Sequence, residues 1–196
     1  MLLSREDATT ISLLKAQYYC LYIVTIRIVP ASQTAFDQHL DLFKIMLHHS
    51  KVVVDSMKNI PCSFPAANFT FDLGIILGIY IAACRCRCPI TRRKAIALLE
   101  RDLPREGLWD AQQHVIVAKR IIEIEESELD PETGWPTERV RIWSSQIHGD
   151  VDEEGRFQVW FARGHWGEGR GKAPLPPAWV LERFPETKMW VEWFQL

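Results

Sequence analysis

A mainly α fold, in which antiparallel helices pack together and a small C-terminal β-hairpin follows, is what three features of this 196-residue sequence predict. Apolar residues recur at three-, four- and seven-residue spacings from about Thr9 to Leu129. Prolines and glycines cut that stretch into helix-length pieces, and beyond Pro131 the pattern turns to strand-like alternation. Hydrophobic residues make up 47% and charged residues 24%, with eight Trp and nine Phe, so the chain has the means to build a core. Residues 1–135 are expected to form the helical domain, with 136–196 supplying a hairpin and an aromatic C-terminal segment that pack on it.

The stretch Thr9 to Val29 is apolar almost all round, the pattern of a helix packed on several sides, although Ile23-Val24-Thr25-Ile26 also suits a strand. After Pro30, Ser32 and Thr34 offer N-caps for an amphipathic helix carrying Phe36, Leu40, Phe43, Leu47 and Val54. Asn59 to Asn68, with Pro61 and Pro65, reads as a connection. A third helix is expected over Phe71 to Arg85, and Pro89 opens a fourth with Ile96, Leu99 and Leu103 inward, ended by Pro104 and Gly107. From Trp109 to Leu129 the set Ala111, Val115, Ala118 and Ile122 defines a fifth, whose end is crowded by Glu123, Glu125, Glu126 and Glu128. Val140-Arg141-Ile142 and Phe157 to Phe161 then flank the acidic turn Gly149 to Gly155 as a hairpin. Gly164 to Pro177 is expected to be a loop, Trp179 to Phe184 a short helix and Met189 to Phe194 a final aromatic segment.

A net charge of −2 gives no overall basic field for coating nucleic acid. Five cysteines, three of them in Cys84-x-Cys86-x-Cys88, point to reduced intracellular thiols and away from a disulfide framework. Acidic residues in the first seven positions do not suit a signal peptide, and the apolar stretches Ala16 to Ile26 and Leu73 to Cys84 fall short of the roughly 18 residues of a membrane span.

Three alternate thiols on a helix do not converge on a tetrahedral ion, so no metal is expected at Cys84, Cys86 and Cys88. Asp150-x-Asp152-x-Glu154-Gly155 imitates the first half of a calcium loop but has Phe161 at the twelfth place, which makes it a solvated hairpin tip. Gly167-x-Gly169-x-Gly171 lacks the strand and helix of a phosphate cradle. His48 and His49 face different ways, and His148 beside Asp150 and Asp152 has no recognisable nucleophile near it. The basic stretch Arg85, Arg87, Arg92, Arg93, Lys94 reads as a solvated helix face, paired to the acidic end of the Trp109 to Leu129 helix. No catalytic, cofactor-binding or metal-binding residues are assigned, and the chain is expected not to be an enzyme.

The runs Phe71-Asp72-Leu73-Gly74-Ile75-Ile76, Cys86-Arg87-Cys88-Pro89-Ile90-Thr91-Arg92-Arg93-Lys94-Ala95-Ile96-Ala97-Leu98-Leu99 and Pro104-Arg105-Glu106-Gly107-Leu108-Trp109-Asp110 resemble the C-terminal regulatory region of fungal Zn(2)-Cys(6) binuclear cluster transcription factors. More loosely, the likeness extends through Ile122-x-Ile124-Glu125-Glu126 and covers residues 10 to 165. In that family an N-terminal six-cysteine cluster reads the DNA; the five cysteines here match neither its number nor its spacing, so zinc-dependent DNA binding is not carried over. Cys88 stands where the family often has an acidic cap before the proline, and Leu77-Gly78 replaces a proline-bearing stretch.

The resemblance implies a nuclear transcription-regulatory module of the secondary-metabolism kind, acting by protein-protein contacts, as a homo- or heterodimer, with no direct sequence-specific DNA binding, no membrane and no cofactor. A cytoplasmic location is the alternative. Arg92, Arg93, Arg105, Glu106 and Trp109 are the residues expected to organise it, the arginines by reaching carboxylates of neighbouring helices and Trp109 by anchoring a helix start. A shortened relative would also leave apolar surface uncovered and tend to associate. Two other readings stand beside this one: a small enzyme with an acid-base pair around His148, and a scaffold protein unrelated to transcription.

Overall fold

A computed structural model describes residues 4–26, 32–57, 69–70, 74–148, 151–163 and 188–196 of the chain. The elements run α1 (Arg5–Ile26), a 3-10 turn (Gln33–His39) leading straight into α2 (Leu40–Met57), β1 (Phe69–Thr70), α3 (Ile76–Arg85), α4 (Pro89–Leu99), β2 (Arg105–Glu106), α5 (Ala111–Glu125), a second 3-10 turn (Glu138–Val140), β3 (Ser144–His148), β4 (Arg156–Arg163) and β5 (Lys188–Gln195). The molecule is mainly helical with a small antiparallel sheet near its C-terminus. The expected Asn59–Asn68 connection, the Gly164–Pro177 loop with its glycine run, and the Trp179–Phe184 helix lie outside the described residues.

Local chemistry sets the boundaries. α1 begins at Arg5, before Thr9, because Ser4 and Asp7 cap it reciprocally: Asp7 N–H donates to Ser4 Oγ at 3.0 Å and Ser4 N–H to Asp7 Oδ2 at 3.1 Å. Its β-branched end stays helical. Burial on several sides does not occur: Ser12, Ala16, Cys20 and Ile23 face inward, whereas Leu14, Tyr18 and Leu21 are exposed. Ser32 caps the next turn through Thr34 N–H, and Phe43, Met46, Leu47, Val53 and Val54 form the buried face of α2.

α3 starts at Ile76, later than expected, and residues 86–88 form an extended elbow before Pro89 opens α4. α4 closes at Leu99, five residues before Pro104, so Leu103 packs on the core from outside the helix. Asp110 caps α5 by accepting N–H bonds from Gln112 and Gln113, which sets its start at Ala111, and the helix ends at Glu125.

β4 pairs antiparallel with β3, placing Ser145 opposite Phe161 and Ile147 opposite Val159. The expected aromatic tail is the third strand: β5 pairs with the other edge of β4, Phe194 opposite Phe157 and Trp190 opposite Phe161. The hairpin begins at Ser144 and not at Val140, because the Ile142 N–H that a strand would use is given to Glu125. One apolar cluster runs from Cys20 and Ile23 through Phe43, Ile79, Val117 and Ile121 to Phe157, Val159 and Phe161, so helices and sheet share a core.

Candidate functional site

Extending the apolar stripe of α5 by three residues beyond Ile122 reaches Glu125, so helical spacing drives a carboxylate into the core. It is fully buried and held from three directions. Arg87 Nη2 donates to Oε1 at 2.8 Å, Arg92 Nη2 to Oε2 at 2.8 Å, and Ile142 N–H to Oε1 at 2.9 Å. Burial alone would push the Glu125 carboxyl up, but the two guanidiniums and the Ile142 N–H hold it below its ordinary value. The expectation of a solvated basic face therefore fails for Arg87 and Arg92, which are 1% and 0% exposed, and describes only Arg93 and Lys94. A cation in a low-dielectric interior persists where it is paired, and the α3–α4 elbow delivers both arginines to the same carboxylate. Arg87 Nε and Arg92 Nη1 have no hydrogen-bond partner among the described residues.

A second tier ties the same elbow to the chain before the sheet. Arg85 donates to the carbonyls of Ile142 and Trp143 and to Gln33 Oε1. Arg141, almost wholly buried, makes a bidentate pair with Asp37 at 2.7 Å on each arm and also donates to the carbonyls of Pro136 and Gln33. Gln33 and Thr34 N–H both donate to Glu138 at 2.8 Å. The 3-10 turn before α2, the elbow with the end of α3, the end of α5 and residues 136–143 are thus bound into one polar network.

The residues expected to organise the module fall in two places. Arg92 and Arg93 both reach α5, Arg92 at Glu125 and Arg93 through a bidentate, exposed pair with Glu126 at 2.9 and 2.6 Å. Arg105, Glu106 and Trp109 sit at a separate corner. Glu106 is buried and accepts the N–H groups of Ile75 and Ile76 at 2.9 Å, satisfying the open start of α3. Burial raises its pKa, against the opposing effect of the backbone donors at Ile75, Ile76 and Gly74. Gly74 fits tightly here, since a Cβ added to it would run into the Glu106 carboxylate. Trp109 exchanges both backbone hydrogen bonds with Glu106, and its half-buried ring lies 4.8 Å from His114 and 6.4 Å from Tyr80. Arg105 is exposed and donates from Nε to the Gly107 carbonyl.

Missing from the expected set were Arg141, which follows a short 3-10 turn, and Asp37 and Gln33, polar residues of the 3-10 turn that leads into α2, whose pairing across the chain no local pattern marks. Glu125 was legible in principle, as the next position of a stripe already recognised.

The remaining constellations stay apart. Cys84 lies in the last turn of α3, Cys86 in the elbow and Cys88 at the N-cap position of α4; burial pushes the thiols of Cys84 and Cys86 up to about 11. Among the described residues, no three of His, Cys, Asp and Glu gather as an ion-holding group. His148 is exposed on β3 with its ring 5.4 Å from that of Trp160, while Asp152 accepts from Glu154 N–H, Arg156 N–H and Arg156 Nε. Asp150 lies outside the described residues. Among the described residues, no helix is long and apolar enough to cross a membrane.

No protein-family model matches the chain, and no solved structure matches it. Over 104 residues it is 29% identical to the aspercryptin biosynthesis cluster-specific transcription regulator of Emericella nidulans, an alignment covering 53% of this chain and 15% of that protein. The chain therefore spans well under a fifth of the length of the curated relative it matches, and what it resembles is one part of a fungal transcription regulator.

Proposed function

We propose that this chain is a transcription-regulatory helical module that works in the nucleus through protein contacts, in the control of secondary metabolism, without reading DNA itself. The observation that carries the reading is the 104-residue similarity to a cluster-specific regulator. Two features support it. The arginines that would be natural phosphate contacts at Arg87 and Arg92 are spent on Glu125 inside the core, which removes both of them from any DNA surface. The five cysteines match neither the number nor the spacing of the six-cysteine cluster by which the zinc-cluster regulators read DNA. In this reading Arg92, Arg93, Arg105, Glu106 and Trp109 are positioning residues for the helices.

The test is to tether the full chain to an unrelated DNA-binding domain in a filamentous fungus and read a reporter placed behind that domain's site. A several-fold change in reporter output over the tether alone is expected, together with nuclear accumulation of a fluorescently tagged copy. An inert tether, or zinc-dependent sequence-specific DNA binding by the untethered chain, would overturn the reading.

A further inference from the structure

One face of α1 has no partner among the described residues, and its pattern is that of a seam. Ser4, Asp7, Ile11, Leu14, Tyr18, Leu21 and Thr25 follow one another at alternating three- and four-residue steps, and all are exposed. Leu14, Tyr18 and Leu21 are 60%, 62% and 64% exposed. This repeat averages 3.5 residues, the period of a two-helix coiled coil, and it runs separately from the Ser12, Ala16, Cys20, Ile23 stripe by which α1 packs inward. A helix that needed only its own domain would keep polar residues here.

We infer that this seam binds the α1 of a second copy of the chain, antiparallel, about a two-fold axis at the height of residue 16. The seam is complementary to itself in that arrangement alone: Leu14 meets the partner's Tyr18, Ile11 meets the partner's Leu21, and the polar ends Asp7 and Thr25 meet each other. A parallel pairing would set Asp7 against Asp7 and Glu6 beside Glu6, whereas the antiparallel one keeps the two acidic turns about 27 Å apart at 1.5 Å per residue. The area agrees. Ile11, Leu14, Tyr18, Leu21, Tyr22 and Val24 leave roughly 600 Å² open, taking side chains of this size at about 150–250 Å² each. Two copies would bury roughly 1,200 Å², the lower end of specific interfaces. An apolar cleft of about 230 Å³ between α1, α2 and α3 opens beside Gln17 and Leu21, where the partner's Ile11 would lie. The pairing rests on α1 alone and holds or fails independently of the regulatory reading, which the reporter tests.

Sedimentation of the full chain over a concentration series is expected to show a monomer–dimer equilibrium in the micromolar range. Leu14→Lys and Tyr18→Glu, each at an exposed position, should sediment as monomers with unchanged far-ultraviolet dichroism. Mixed one to one, they should regain dimer, because antiparallel pairing sets the introduced lysine of one chain against the introduced glutamate of the other and restores one native contact opposite. A wild-type chain that stays monomeric, single variants that remain dimeric, or a mixture that stays monomeric would overturn the proposal.

Discussion

Arg87 Nη2 and Glu125 Oε1 meet at 2.8 Å with neither side chain reaching solvent, and the other oxygen of the same carboxylate holds Arg92 at the same distance. One anion therefore neutralises one cation from the elbow and one from α4, and also fixes the Ile142 N–H at the approach to the sheet. The cost of opening such a site lies less in the lost attraction than in the charges left behind.

Glu125→Ala is accordingly expected to lower unfolding free energy by about 3–5 kcal/mol, as urea or thermal denaturation would show, because two buried guanidiniums and a backbone N–H lose their acceptor together. Arg93→Ala, which removes an exposed pair with Glu126, should cost no more than about 1 kcal/mol. Equal losses in the two variants would mean that the buried network contributes nothing special.

At the other corner, Glu106 and Gly74 are mutually dependent. Gly74→Ala should destabilise by about 1–3 kcal/mol because the new methyl displaces the carboxylate and leaves the Ile75 and Ile76 N–H groups buried and unpaired. Glu106→Ala removes the same acceptor, so the double variant should lose much less than the two losses together. Additive losses in a double-mutant cycle would contradict the shared cause.

Most of the helical layout could be read from spacing and caps, since Ser32, Pro89 and the Ala111, Val115, Ala118, Ile122 stripe each act through local geometry. What could not be read depends on contacts distant in sequence. Arg87 looks like a surface residue beside Arg85, Arg92 and Arg93, and only the return of residue 142 to the end of α5 makes it internal. Arg141 with Asp37 joins residues 104 apart, a pairing that no local pattern announces. The outward face of α1 was hidden for another reason: all-round apolarity is equally the pattern of a helix buried in its own domain and of one with a face left open.

Acid should weaken the fold through its buried imidazoles. His114 is buried against Tyr80 and Trp109, donates from Nδ1 to the Asp110 carbonyl, and is held below its ordinary pKa of 6.5 by burial. The unfolded chain takes up a proton as pH falls below 6.5 while the folded chain resists, so stability declines through that window and returns above it. His49, lowered mainly by burial, acts in the same direction. The denaturant midpoint should therefore fall between about pH 7.5 and about pH 5.5, and less so in His114→Gln. A midpoint that rises on acidification would contradict a neutral buried imidazole.

Thiol chemistry separates the cysteines by environment. Burial pushes Cys20, Cys84 and Cys86 up to about 11, so almost none of each is thiolate at neutral pH. Cys88 differs because it is half-buried at the start of α4: burial raises its pKa, but the Thr91 hydroxyl, the first-turn N–H groups and Lys44 together bring it below the ordinary value. Since the thiolate is the nucleophile, iodoacetamide at neutral pH should alkylate Cys88 at least about tenfold faster than the other three. The experiment is best run in a Cys62→Ser background, which removes the one cysteine outside the described residues, with peptide mass spectrometry as the readout. Labelling of Cys84 or Cys86 at the rate of Cys88 would show that the elbow opens readily in solution, and the closed Arg87–Glu125–Arg92 arrangement could not then be the dominant state.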